Sequence, residues 1–147
     1  QRLFSVRDLL QNQSRFVVTY GDTLTDMAIT AALETANKHK AIICLVAGYP
    51  DARYGELLFD GDQVISFKEK GRPKFRVNRG FIIVKEDIFS HWLKEEFISF
   101  EADVLPYFSS INQVVAFKSD DWFFSVDTEV DATKLERILS DDQRSFQ

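Results

Sequence analysis

Residues 16–20 read Phe-Val-Val-Thr-Tyr and run directly into Gly21 and Asp22. This short, mostly apolar and β-branched run is typical of a strand that is buried on both faces. Residues 25–38 follow with apolar side chains at helical spacing, and residues 41–47 (AIICLVA) form a second apolar run. The order strand, helix, strand predicts a βαβ unit, and therefore a parallel sheet with helices packed against it.

The middle of the chain changes character. Residues 56–59 and 64–68 are short strand-like runs joined through Asp60-Gly61-Asp62, and an Asp-Gly pair in that position predicts a β-hairpin. Ser99 is expected to cap a helix, with acidic residues in its first turn. Further strands are expected at 81–84, 114–117 and 122–125, and further helices at 3–10, 87–93, 99–108 and 131–139. The chain is therefore predicted to be one α/β unit with an antiparallel elaboration in its middle.

Composition excludes several classes of function. The 147 residues carry a net charge of −5 with scattered basic side chains, which argues against a surface for nucleic acid. No run approaches the ~20 apolar residues that a membrane span needs. The single cysteine, Cys44, lies within an apolar run, so we expect a buried core residue rather than a nucleophile. A lone cysteine suits a reducing compartment, and a cytoplasmic location is expected.

Two acidic residues follow predicted strands and are candidates for a metal site. Asp22 comes directly after the first strand, and Asp127 follows the strand at 122–125. In open parallel sheets, ligands gather outside the carboxyl ends of the strands, and Mg²⁺ bound with substrate phosphates needs only one or two carboxylates. Turn formation and helix capping are the alternative explanation. Thr128 and Asp131 form a capping-box pattern, and Asp127 precedes that box and is freer for another role.

A second set of candidates could bind a sugar phosphate. A carboxylate beside an ammonium, as in Glu69-Lys70, can accept hydrogen bonds from sugar hydroxyls while the ammonium meets a phosphate. Glycines next to polar residues allow close approach of the backbone to a ligand. Plain turns and a solvated strand end are the alternatives. The candidates are Tyr54, Gly55, Glu69, Lys70, Asn78 and Gly80.

The order of these motifs along residues 3–139 resembles the nucleotidyltransferases that make NDP-sugars, the sugar-nucleotide pyrophosphorylase family. Within that family, the stretch 19–22 (TYGD) with Asp26, the stretch 77–81 (VNRGF) and the stretch 127–131 (DTEVD) are most similar to the glucose-1-phosphate cytidylyltransferases. The resemblance implies a partial Rossmann-like nucleotidyltransferase fold, with a mixed, mostly parallel sheet, helices and a small antiparallel elaboration.

The resemblance also implies a reaction, in which a sugar 1-phosphate attacks the α-phosphate of a nucleoside triphosphate and pyrophosphate leaves. By the same resemblance Asp22 and Asp127 would hold Mg²⁺, Glu69 would bind sugar hydroxyls and Lys70 the sugar's phosphate. The catalytic residues implied are Asp22, Asp127 and Lys70. The substrate-binding residues implied are Tyr54, Gly55, Glu69, Lys70, Asn78 and Gly80.

The chain departs from the family pattern in three respects. The family's N-terminal half, with its Gly-rich triphosphate loop, has no counterpart here, so residues 1–147 are expected to form a single domain that lacks the nucleotide-binding segment and is inactive alone. Such a half-sheet is expected to form a homo-oligomer or to associate with the missing segment. Arg79 stands where the resembling enzymes carry a small residue, and it would either contact an acidic sugar phosphate or fill the pocket. Gly71 replaces an expected proline.

Three alternatives stay open at this point. The enzyme could act on another sugar 1-phosphate, of mannose or a heptose, with GTP or UTP. It could be a non-catalytic domain of the same fold that binds a sugar phosphate or a partner chain. The motifs could also be turns and caps of an unrelated α/β domain.

Overall fold

A computed structural model describes residues 2–50, 55–69, 73–91 and 97–141. The helices are α1 (Arg2–Ser5), a 3₁₀ turn (Arg7–Leu9), α2 (Ile29–His39), α3 (Ile88–His91), a π-helical turn (Phe100–Val104), α4 (Leu105–Ser110) and α5 (Glu129–Asp141). The strands are β1 (Arg15–Thr19), β2 (Thr23–Thr25), β3 (Ile43–Gly48), β4 (Glu56–Asp60), β5 (Gln63–Lys68), β6 (Val77–Lys85), β7 (Val114–Lys118) and β8 (Phe123–Ser125).

Within the described residues, four strands form one mixed sheet in the order β1-β6-β3-β7. Strands β3 and β7 pair in parallel, whereas β6 runs antiparallel to both of its neighbours, β1 and β3. Strands β1, β3 and β7 therefore share one direction. The predicted mixed α/β fold is confirmed. The two strands of the predicted strand-helix-strand unit, β1 and β3, are not neighbours in the sheet. Strand β6, which comes later in the chain, lies between them.

The central strands of the sheet are buried on both faces, and their successive residues alternate between two cores. Ile43 of β3 and Ile82 of β6 lie in the core that α3 and α4 cover. Their neighbours Cys44 and Ile83 lie in the core that α2 covers. This two-sided burial explains why residues 41–47 are continuously apolar, and burial raises the pKa of the Cys44 thiol. Cys44 is thus a core residue, as predicted.

The edge strand β1 is buried on one face only: Phe16 and Val18 pack against a core, whereas Val17 is 43% exposed. The prediction that residues 16–20 are buried on both faces is therefore wrong, because the core that holds Ile83, the partner of Val17, does not extend over β1.

Two small ribbons complete the fold. Strands β4 and β5 form the predicted hairpin around Gly61, which has a φ of 57°. Strands β2 and β8 pair antiparallel in a second ribbon, which the sequence did not indicate. The helix predicted at 25–38 begins later in the structure, at Ile29, because Thr25 belongs to β2. The Thr25 hydroxyl donates to the Trp122 carbonyl oxygen and accepts from the Met27 N–H.

Both predicted helix caps form. The Ser99 hydroxyl accepts from the Ala102 N–H at 3.1 Å. Thr128 and Asp131 make the reciprocal bonds of a capping box: the Thr128 N–H donates to the Asp131 carboxylate and the Asp131 N–H donates to the Thr128 hydroxyl. Across the described parts of the chain, every helix is too short or too polar to cross a membrane.

Candidate functional site

Two carboxylates lie at the same end of the β2–β8 ribbon. The strand register pairs Thr23 with Ser125. One step further, the Val126 N–H donates to the Asp22 carbonyl oxygen at 2.8 Å. Asp127 is the next residue, so the antiparallel pairing brings both acids to one end of the ribbon, where both are exposed. The sequence indicated that each acid ends a strand; the structure adds that the two segments are partners.

An irregularity in β6 lies next to this end of the ribbon. Leu45 of β3 pairs with Ile82, whereas Ala47 pairs with Asn78, so four steps along β6 face two steps along β3. Gly80 lies within this bulge with a φ of 75°, a conformation that glycine adopts at little cost. The Asn78 side-chain oxygen accepts from the Gly80 N–H at 3.1 Å and stabilises the bulge.

The bulge packs directly on the segment that carries Asp22. The Tyr20 N–H donates to the Gly80 carbonyl oxygen at 3.0 Å. A Cβ atom on Gly80 would lie 2.9 Å from Cδ2 of Tyr20 and 3.2 Å from the Thr23 hydroxyl oxygen. Of the residues predicted for the site, Asp22, Asp127, Asn78 and Gly80 therefore belong to one region.

Tyr20 and Glu101 join this region, and neither was singled out as a functional residue. The Tyr20 hydroxyl donates to the Glu101 carboxylate, which the π-helical turn holds. Burial, together with that hydrogen bond and the charge of Glu101, raises the pKa of Tyr20 to about 12. Asn78 opposes the shift by hydrogen bonding, and the charge of Asp22 adds to it. The residues are 81 positions apart in sequence, so local patterns carry no signal for the pair.

We expect Glu101→Gln to move the Tyr20 titration from about 12 towards the ordinary tyrosine pKa of about 10, because the substitution removes a negative charge and a strong acceptor. The raised pKa stabilises the fold fully below pH 10, and this contribution is lost as the pH rises through 12. Absorbance of the tyrosinate at 295 nm measures the titration, and comparison with Tyr20→Phe identifies the part of the absorbance change that belongs to Tyr20. Glu34→Gln, at an exposed position, is the control. An unchanged titration in Glu101→Gln would contradict the expectation.

Gly55 and Glu69 form a second group, at the end of the β4–β5 hairpin. A Cβ atom on Gly55 would lie 2.6 Å from the Phe67 ring and 3.4 Å from a carboxylate oxygen of Glu69. Among the described residues, no hydrogen bond connects this group with Asp22 or Asp127. Tyr54 and Lys70, the predicted neighbours of this pair, lie outside the described residues.

The side chain of Arg79 points into the protein. It is 7% exposed, and its Nη1 donates to the Asp121 carbonyl oxygen at 2.6 Å. Its Cζ lies 5.0 Å from the centre of the Phe123 ring. From the sequence, Arg79 was expected either to contact an acidic sugar phosphate or to fill the pocket. In the structure its guanidinium lies against the β2–β8 ribbon.

The donor atoms at the end of the ribbon fit a hard divalent cation. The Thr23 hydroxyl donates to one carboxylate oxygen of Asp22 at 3.1 Å, and the Asp127 carboxylate accepts no hydrogen bond from any described residue. In the described part of the chain, no three His, Cys, Asp or Glu side chains are grouped so that they could hold a metal ion by themselves. Two carboxylates without nitrogen or sulfur ligands suit Mg²⁺, which keeps waters and takes its remaining ligands from substrate phosphates.

Comparisons with known proteins find related sequences. Glucose-1-phosphate cytidylyltransferases from Salmonella typhi and Salmonella typhimurium are each 26% identical over 138 residues, which is 93% of this chain and 53% of theirs. The chain thus spans about half the length of these curated relatives.

Solved structures share the fold. HddC from Yersinia pseudotuberculosis matches with a TM-score of 0.63 and 26% identity, over 92% of this chain and 61% of that one. A structure described as a glucose-1-phosphate thymidylyltransferase from Bacillus anthracis matches with a TM-score of 0.67 and 18% identity, over 97% and 61% of the two chains. The family model described as Nucleotidyl transferase matches residues 2–123. The chain belongs to the nucleotidyl transferase family.

Proposed function

We propose that this chain forms the sugar-phosphate- and metal-binding part of a sugar-1-phosphate nucleotidyltransferase of the glucose-1-phosphate cytidylyltransferase type. A phosphate oxygen of the sugar 1-phosphate attacks the α-phosphorus of a nucleoside triphosphate; the bond to the β-phosphate oxygen breaks and pyrophosphate leaves. The observation that carries the proposal is the meeting of Asp22 and Asp127 at one end of the β2–β8 ribbon.

Asp22 and Asp127 would hold Mg²⁺ between them. When bound, the ion would neutralise negative charge on the oxygens of the reacting phosphates. Thr23 orients the Asp22 carboxylate through its hydroxyl, and the exposed Asp127 carboxylate would be accessible to the ion. The contribution of the chain is to position the acceptor phosphate and to neutralise its charge, which is most of what catalysis of phosphoryl-type transfer requires.

The sugar side of the site is assigned to Asn78 and Gly80 in the bulge and to Gly55 and Glu69 at the end of the hairpin. The Glu69 carboxylate is exposed and can accept hydrogen bonds from sugar hydroxyls. Tyr54 is assigned to the sugar side as well, and Lys70 to the phosphate of the sugar, where an ammonium would meet the anion.

Residues 1–147 are proposed to form a single domain that carries the site for the sugar 1-phosphate. None of its described residues is assigned to recognition of the nucleotide base. Self-association is proposed because the β4–β5 hairpin leaves large apolar side chains in solvent. Leu58, Phe59, Ile65 and Phe67 are between 58% and 62% exposed. A cytoplasmic location is proposed as well, since a nucleoside triphosphate substrate and a free buried cysteine both suit it.

Release of pyrophosphate tests the proposal. The protein, purified at its natural length, is expected to release pyrophosphate from CTP in the presence of glucose 1-phosphate and Mg²⁺, and to lose the activity with EDTA. Mannose 1-phosphate, a heptose 1-phosphate, GTP and UTP are the comparison substrates. A higher kcat/KM for one of them would replace the cytidylyltransferase assignment. No release with any pair, while the sugar phosphate still binds, would show a non-catalytic binding domain.

A further inference from the structure

Arg79 occupies space that its neighbour on β3 leaves open. Gly48 is the last residue of β3, and a Cβ atom built on it would lie 1.7 Å from Nε of Arg79 and 2.1 Å from its Cζ. No side chain larger than hydrogen at position 48 is compatible with this arrangement. The guanidinium therefore packs close to the backbone at the carboxyl end of a central strand.

The same guanidinium reaches the segment that carries Asp127. Its Nη1 donates to the Asp121 carbonyl oxygen at 2.6 Å, which lies two residues before β8. Its Cζ lies over the Phe123 ring, 5.0 Å from the ring centre, within range of a cation–π contact. One side chain from the β6 bulge thus contacts the end of β3, the loop before β8 and the first residue of β8.

The loop before β8 is held in shape by its own hydrogen bonds. The buried Ser119 hydroxyl donates to the Asp121 carboxylate at 2.6 Å and accepts from the Asp121 N–H at 3.0 Å. The Asp121 carbonyl oxygen is therefore presented to Arg79 by a fixed turn. A charged donor makes this hydrogen bond stronger than one between neutral groups.

We propose that Arg79 is a positioning residue for the metal-binding carboxylates: it ties the β2–β8 ribbon to the sugar-side bulge and so sets where Asp127 lies relative to Asn78 and Gly80. This inference rests on the proposed function, because it takes Asp22 and Asp127 as the metal ligands. Burial of a guanidinium is costly, and Arg79 still joins two segments that are remote in sequence, the end of β3 and residues 121–123, and so fixes one arrangement of the site. The residue acts through β8 and does not touch the substrate.

Titration with Mn²⁺, followed by the electron paramagnetic resonance signal of the free ion, tests the inference on the protein at its natural length. Arg79→Met keeps the length of the side chain and removes its charge and its hydrogen bonds. Because loss of an outer positioning partner weakens metal binding by roughly 10- to 100-fold, we expect an Mn²⁺ dissociation constant raised about tenfold or more. Arg79→Lys retains a donor but not the planar group, and we expect a smaller increase.

Val104→Ala is the matched control. Val104 is fully buried in the core on the α3 and α4 side of the sheet, so its truncation is expected to lower the melting temperature without changing Mn²⁺ affinity. Equal Mn²⁺ affinity in wild type and Arg79→Met would overturn the inference and leave the proposed metal site intact. Equal affinity in wild type and Asp127→Asn, or no binding by the wild type, would overturn the metal site itself and the inference with it.

Discussion

Exchange of Asp22 or Asp127 for asparagine is expected to lower the rate of pyrophosphate release by at least about a hundredfold. Each substitution keeps the shape of the side chain and removes one of the two negative charges at the end of the β2–β8 ribbon. A divalent cation held by two carboxylates loses much of its affinity when one of them becomes neutral. The measurement is kcat and kcat/KM at saturating Mg²⁺, together with Mn²⁺ binding.

Asp62→Asn is the control for this prediction. Asp62 is exposed in the turn of the β4–β5 hairpin, and its substitution removes the same charge at a distance from the ribbon. The control is expected to keep activity within about twofold of wild type, as surface substitutions away from special features usually do. Near-normal rates in both Asp22→Asn and Asp127→Asn would refute the assignment of these residues to the reaction.

Substitution Gly48→Ala is expected to destabilise the fold by about 2–4 kcal/mol. The new methyl group needs the volume that Nε and Cζ of Arg79 fill. Arg79 must then leave its buried position, with loss of its hydrogen bond to Asp121 and of its contact with the Phe123 ring. Chemical denaturation of wild type and variant measures the difference in the free energy of unfolding.

Two further variants separate this steric cause from a general effect of alanine. A Cβ atom on Gly21 would meet no atom within 4 Å outside its chain neighbours, and Gly21 has no positive φ. Gly21→Ala is therefore expected to change stability by less than about 0.5 kcal/mol. In an Arg79→Ala background the volume beside position 48 is empty, and Gly48→Ala is expected to cost less than about 1 kcal/mol. Equal costs of Gly48→Ala in both backgrounds would show that Arg79 is not the obstacle.

Local sequence patterns were sufficient to predict the turns and helix caps, which depend only on residues near each other in the chain. The hairpin around Gly61 and the caps at Ser99 and Thr128 form as predicted, because turn geometry and caps are satisfied within a few residues.

The continuous apolar run at 41–47 correctly indicated a buried strand, β3, and the run at 81–84 correctly indicated a strand, β6. The run at 16–20 indicated a strand buried on both faces, but β1 lies at the edge of the sheet and Val17 is exposed. The same runs could not indicate strand order, since a buried strand presents the same pattern beside any neighbour.

The candidate site divides in the same way. The acids at positions 22 and 127 were identified from the sequence because each follows an apolar run and precedes a helical pattern. Their meeting depends on the pairing of β2 with β8, two three-residue strands that are about a hundred positions apart. The run at 122–125 correctly predicts β8, but β2 carries too little periodicity to be recognised, and the helical spacing that begins at residue 25 predicts a helix there instead.

The sequence by itself determined the mixed α/β class and the family pattern and indicated the two acids as candidates for a metal site, because these follow from the spacing of residue types along the chain. Only the tertiary structure decided that β6 separates β1 from β3, that Glu101 accepts from Tyr20, and that Arg79 turns inward over Gly48. Each of these arrangements joins segments that are remote in sequence. They are selected by the packing of the whole fold, in which a buried polar group is stable only where a distant partner meets it.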